Sequence, residues 1–162
     1  MLTSFPNFIP VIKPSFEPNL SLMNIHWLCG FMNGAGYFGL RFRQSIKYAL
    51  GVGCEAVISI TQDGVSLITL EHIITFLGIG RIVKESGNRT TYLYFIGSIK
   101  DINLFIQKFE EAKILGAKAL DYADFCQGIE IINRKEHLTQ EGLNKLKALS
   151  QNMNSKRSNF EN

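Results

Sequence analysis

NIHWLCGFMNGAG, Asn24 to Gly36, decides how the rest of the chain is read. Asn24 is a residue type whose side-chain oxygen caps the free amides of a first helical turn. It stands directly before a run with apolar Ile25, Leu28, Phe31 and Met32 at helical spacing. The pattern predicts a helix from about Ile25 to Asn33. Gly30 and Gly34 fall four apart on one face of it, where missing side chains let another backbone approach closely. A break from Gly34 to Gly36 ends the helix.

Beyond the break, YFGLRFRQSIK (Tyr37 to Lys47) alternates, with Phe38, Leu40 and Phe42 on one face and Gly39, Arg41 and Arg43 on the other. Period-two alternation marks a half-buried strand, here with a basic face. CEAVISITQDG (Cys54 to Gly64) repeats the pattern, Ala56, Ile58 and Ile60 against Val57, Ser59 and Thr61, and stops at the turn pair Asp63-Gly64. The two strands form a hairpin. Ser66 or Thr69 then opens an amphipathic helix that ends near Leu77, with Gly78 and Gly80 as its stop. A second hairpin lies in RIVKESGNRTTYLYFIGS (Arg81 to Ser98), turning at Ser86, Gly87 and Asn88 and carrying Lys84, Arg89, Thr90 and Thr91 at its tip. Ile102, Phe105, Ile106 and Phe109 predict a third helix over Ile99 to Leu115. Two more helices follow, Ala117 to about Asn133 and Thr139 to about Asn152.

The order helix, hairpin, helix, hairpin, helix predicts an α+β domain. Its four-stranded antiparallel sheet has one face covered by helices and one open face carrying the arginines, with extra C-terminal helices. A length of 162 residues suits one core plus tails. The expected division is a proline-rich arm or linker over 1–21, the domain over 22–154 and a polar tail over 155–162. All four prolines, Pro6, Pro10, Pro14 and Pro18, lie in the arm, where their spacing favours an extended segment. The arm has neither the Arg-rich amphipathic pattern of a transit peptide nor the basic start and apolar run of a signal peptide.

Apolar residues make up 46% and charged residues 19% of the chain, and no run reaches about 18 uninterrupted apolar residues, so no membrane span is expected. Cys29, Cys54 and Cys126 are odd in number and lack ligand spacing, which points away from a disulfide framework or a zinc site. A net charge of +3 is compatible with a nucleic-acid partner without requiring one. The distribution of the basic residues therefore matters more than their sum.

This layout and the LCGFMNGAG stretch, Leu28 to Gly36, resemble the LAGLIDADG homing endonuclease family. So does the run KALDYADFCQGIEIINRKEHLTQEGLNKL (Lys118 to Leu146), which is similar to the closing segment of the fungal mitochondrial branch. FLGIGRIVK (Phe76 to Lys84) and SIKDINLFI (Ser98 to Ile106) resemble that branch's loop into the second hairpin and its following helix. The resemblance implies an αββαββα unit with a saddle-shaped sheet lying in the major groove of double-stranded DNA. It also implies a motif helix packed against that of a second unit. In two-unit members such closing segments belong to the second unit, so the chain resembles a C-terminal half. Origin in a mitochondrial intron follows from the same resemblance, and an organelle-encoded protein needs no transit peptide.

The family hydrolyses phosphodiester bonds with divalent ions, Mg2+ for instance, held between the ends of two motif helices that each supply a carboxylate. A metal that activates water and neutralises phosphate charge needs such hard anionic ligands. Matched position by position, the metal-binding acid falls on Ala35 and the preceding acid on Asn33. A methyl group cannot ligate a metal, and Asn33 brings only a neutral carbonyl oxygen. No catalytic or metal-ligating motif residue is intact, and double-strand cleavage by this chain alone is not expected. Leu28, Gly30, Phe31 and Gly34 are the expected motif-helix interface, toward a homodimer partner or an intact N-terminal half. DNA-binding candidates are Arg41, Arg43, Lys47, Ser59, Thr61, Lys84, Arg89 and Thr91: arginine reads guanine with a two-pronged fork, while Lys, Ser and Thr hold phosphates or make adaptable base contacts. Loss of the acid is equally compatible with a maturase-like role, stabilising group I intron RNA for splicing.

Overall fold

The computed structural model of the chain describes residues 11–12, 19–87 and 90–156. Most of the expected arm and of the expected tail, and the turn residues Asn88 and Arg89, lie outside the described residues.

Helix α1 spans Ile25–Ala35, capped by Asn24, whose side chain accepts the Trp27 amide at 2.9 Å. It runs two residues past the expected end because Gly34 continues the helical ladder and the Gly36 amide donates to the Met32 carbonyl. Strands β1 (Gly36–Gln44) and β2 (Val52–Asp63) form the first hairpin, and β3 (Arg81–Lys84) and β4 (Thr91–Ile96) the second. β1 is shorter than expected, which leaves Lys47 in the connecting loop. Between the hairpins lies α2, Leu67–Leu77, ended by Gly78 in the left-handed conformation that glycine adopts without a side-chain penalty. The strand order is β1-β2-β4-β3, all antiparallel, as the alternation predicted.

Strand pairing sorts the residues by face. Phe38, Ile58 and Ile96 align across three strands, as do Ile60, Tyr94 and Ile82, and most of these side chains are fully buried against the helices. Leu28 and Met32 of α1, Leu70 and Ile73 of α2, and Ile102 and Phe105 of α3 (Ile99–Lys108) complete that layer. Phe38 is ringed by Tyr122, Phe125 and Phe105 at centroid separations of 4.9, 5.5 and 6.4 Å. Such aromatic pairs add about 0.5–1.5 kcal/mol each beyond area burial. The Tyr94 hydroxyl donates to the Ile79 carbonyl at 2.9 Å, so the polar tip of this buried ring is satisfied.

The third helix is the clearest departure from expectation. α3 stops at Lys108, seven residues short of Leu115, because the Phe109 amide closes a tightened last turn and the chain runs on irregularly. Phe109, Ala112 and Ile114 remain buried all the same. Apolar spacing survived where the helix did not.

The C-terminal helices α4 (Gly116–Asn133) and α5 (Gln140–Gln151) have a particular task at the sheet edge. β1 is an edge strand with carbonyls that no strand pairs. Ser150 donates to the Leu40 carbonyl at 3.2 Å and Asn154 to the Phe38 carbonyl at 2.8 Å. Buried Asp121 in turn accepts the Asn154 amide at 2.9 Å, which fixes the donor. The last helices thus cover an edge that is otherwise open to further pairing. Among the described residues, no helix is long and apolar enough to cross a membrane.

Candidate nucleic-acid interface and motif-helix face

Among the described residues, no helix covers the second sheet face. Arg41, Arg43, Arg81, Thr61 and Thr91 lie on it by register, and Arg41, Arg43, Arg81 and Thr61 are exposed there. Its floor is aromatic: the rings of Tyr37, Tyr48 and Phe95 occupy the space that side chains on Gly39, Gly53 and Gly97 would fill. The Arg41 guanidinium lies 5.6 Å from the Tyr37 ring centroid and that of Arg81 lies 5.2 Å from the Phe95 centroid. Cation–π attraction holds both heads near the face without neutralising them. Arg43 Nε pairs with Glu55 Oε2 at 3.0 Å. Three exposed guanidinium groups on an aromatic floor make a surface suited to stacking, phosphate contact and base-edge hydrogen bonds.

Several expected contact residues stand elsewhere. Ser59 is on this face but only 4% exposed, covered between its cross-strand neighbours Tyr37 and Phe95. Lys84 is exposed, but it pairs with Tyr92 on the side shared by Ile82 and Tyr94, and its ammonium lies 6.0 Å from the Tyr92 ring. Arg89 lies outside the described residues. Arg81 was missed, although its alternation with half-buried Ile82 carries the signal. At the hairpin ends, Thr90 donates to Asp63 Oδ1 at 2.6 Å and the Gly64 amide to the same oxygen at 2.8 Å. The Thr90 hydroxyl first and that amide second hold the Asp63 carboxyl below its ordinary pKa. These bonds engage Asp63 with its own turn and with the residue that precedes β4.

α1 presents a different surface. Trp27, Gly30, Phe31 and Gly34 recur at i, i+3, i+4 and i+7, the spacing of a narrow helix-pairing seam. Trp27 stacks on Phe31 with centroids 5.1 Å apart and is 40% exposed. Nothing lies within 4 Å of where side chains on Gly30 and Gly34 would begin. Leu28, expected in this seam, is instead fully buried in the domain's own core. Trp27 takes the outward position that the seam spacing assigns.

The end of α1 shows what the motif has become. Asn33 Oδ1 accepts the Leu115 amide at 3.1 Å, and the Cys29 thiol donates to the Lys113 carbonyl at 2.9 Å. Both side chains tie the helix to the irregular segment after α3. Burial raises the Cys29 thiol, and it raises the half-buried Cys54 thiol to about 12 with help from the neighbouring Glu55 charge. Ala35 packs against the core. Ala35 offers only a methyl and the Asn33 amide oxygen is already engaged, so neither side chain at this helix end brings the anionic oxygen that a divalent cation requires. Among the described residues no group of three or more His, Cys, Asp or Glu is arranged to hold a metal.

A four-stranded antiparallel saddle with a basic open face, flanked by a motif helix with an outward glycine seam, defines a class of LAGLIDADG unit. The model of the family described as LAGLIDADG endonuclease matches residues 28–129. The chain belongs to that family. It is 26% identical over 147 residues to a "Probable intron-encoded endonuclease 3" of Neurospora crassa, covering 91% of this chain and 27% of that protein. A Podospora anserina "Uncharacterized 50.9 kDa protein in ND4 intron 1" is 32% identical over 123 residues, 75% of this chain and 27% of that one. Among solved structures, the I-SmaMI LAGLIDADG homing endonuclease bound to cleaved DNA superposes with a TM-score of 0.89 at 34% identity, covering 97% of this chain and 52% of that one. The I-LtrWI LAGLIDADG homing endonuclease bound to target DNA gives 0.87 and 33%, with the same coverage. The chain therefore spans about a quarter of those two curated relatives' length and about half of the solved enzymes.

Proposed function

We propose that this chain is one DNA-binding unit of a LAGLIDADG homing endonuclease type, docking its open sheet face in the major groove. Its motif no longer supplies a metal-binding acid. The proposed unit is residues 22–154, with a proline-rich arm or linker over 1–21 and a polar tail over 155–162. The observation that carries the reading is the combination on one domain of an exposed arginine face and an acid-less motif helix. Relatives solved with DNA and relatives named for introns support duplex binding and an origin in a mitochondrial intron.

Pairing follows from the seam. With Trp27, Gly30 and Gly34 exposed and Phe31 half-buried beside them, a second LAGLIDADG unit, either a copy of this chain or an intact N-terminal half, completes the DNA-straddling arrangement. In a homodimer both motif ends present Ala35. Beside an intact half one carboxylate remains, enough for at most a nick or impaired cleavage. What this chain's own residues do is bind and orient the duplex. Introducing Ala35→Glu into the paired protein is expected to give Mg2+ or Mn2+ binding that calorimetric titration detects and that the parent lacks. Equal ion affinity in parent and variant contradicts the assignment of this position.

Competition separates DNA from RNA. Labelled duplex held by the purified chain is challenged with unlabelled duplex or with folded group I intron RNA at matched phosphate concentration and salt. The proposal expects duplex to compete at least tenfold better, on the order of 1.4 kcal/mol. Preferential displacement by the folded RNA assigns the maturase-like role instead.

A further inference from the structure

Glu55 places a carboxylate directly among the arginines of the open face. Glu55 is directly opposite Arg41 and diagonal to Arg43, and its Oε2 lies 3.0 Å from Arg43 Nε. As an exposed ion pair this adds little to stability, with side chains 66% and 38% exposed. Its geometry matters more. A guanidinium has five N–H donors, and an Nε engaged from behind leaves Nη1 and Nη2 free as a parallel pair, the fork that matches O6 and N7 of guanine in the major groove. Directly across from Arg43 is Gly53, over which the Tyr48 ring lies.

Arg43, Glu55, Val57, Phe95, Arg81 and a second carboxylate, Asp101, line one cleft that crosses the sheet, with the second guanidinium held at its far side over Phe95. A carboxylate is repelled by phosphates, so its place here suits a position that meets base edges rather than backbone. Resting on the duplex-binding reading above, we infer that Glu55 is a positioning residue that presents the Arg43 fork to a guanine. This makes the pair a specificity determinant of the open face. Free of that restraint, Arg43 still supplies charge but samples rotamers that reach phosphates as readily as bases.

The test is enrichment of duplexes from a randomised pool by the full chain and three variants, followed by sequencing. The wild type is expected to select a guanine whose preference disappears in Arg43→Lys, which keeps the charge and loses the fork. Glu55→Ala is expected to lower that preference roughly tenfold while leaving other positions and total duplex retention intact or raised. Glu55→Gln keeps part of the preference, since its carboxamide oxygen still accepts from Nε. Unchanged thermal unfolding of the Glu55 variants separates positioning from a folding defect. If both Glu55 variants keep the full preference while Arg43→Lys loses it, or if Arg43→Lys alters no position, the inference is overturned. A wild type that retains no duplex at all overturns the binding reading itself, a distinct outcome because no position is then enriched.

Discussion

Arg41→Ala combined with Arg43→Ala lowers duplex affinity by about 2–4 kcal/mol, roughly 30-fold to 1000-fold, as measured by fluorescence anisotropy at fixed salt. Both side chains stand on the helix-free face, and neither contributes to the buried layer beneath it. Two lost guanidinium groups that touch bases account for the range, at about 1–3 kcal/mol each. Thermal unfolding moves little, because exposed substitutions of this kind stay within about 0.5 kcal/mol. Unchanged affinity removes both residues from the footprint and with them the present orientation of the duplex.

The largest effect on folding comes from a single methyl at Gly142. Thr139 caps α5 by accepting the Gly142 amide at 3.1 Å. The preceding turn, which begins at Lys135 with φ 60°, swings the Glu136 carbonyl against that first helical turn. A side chain on Gly142 would run into this carbonyl, backbone against backbone, where no rotamer change relieves the contact. Gly142→Ala is expected to cost about 3 kcal/mol and to lower Tm by on the order of 10 °C. Gly30→Ala is the contrast. Open space surrounds it in mid-helix, so alanine stabilises the isolated chain by up to about 1 kcal/mol while crowding the pairing seam. Equal Tm values for the two variants refute the distinction.

Alternation around Arg41 and Arg43 was sufficient to read both faces of the first hairpin, while the order β1-β2-β4-β3 came from the structure alone. What lay beyond the sequence was contact between distant segments. Asn33 bonds to Leu115 and Cys29 to Lys113 across more than eighty residues, and no local pattern announces either bond. Helix α3 was overextended because Phe109 keeps the helical spacing of Ile102, Phe105 and Ile106, although the chain after Lys108 buries Phe109 outside the helix. At the site, burial of Ser59 needed knowledge of which rings stand beside it, whereas the side occupied by Lys84 follows from its alternation with Val83 and its place two residues after Ile82. Trp27 and Arg81 were legible in principle. The first completes a heptad-like stripe with Gly30, Phe31 and Gly34, and the second alternates with buried-side Ile82.

Separation of binding from hydrolysis is the center of this account, and both can be read from one sample. A duplex enriched by the chain is cloned into supercoiled plasmid and incubated with the purified protein and Mg2+, and complex and product are resolved on the same gel. With Ala35 at the motif acid, the expected result is retarded plasmid with no linear product. A metal-dependent linear band from the chain alone contradicts it.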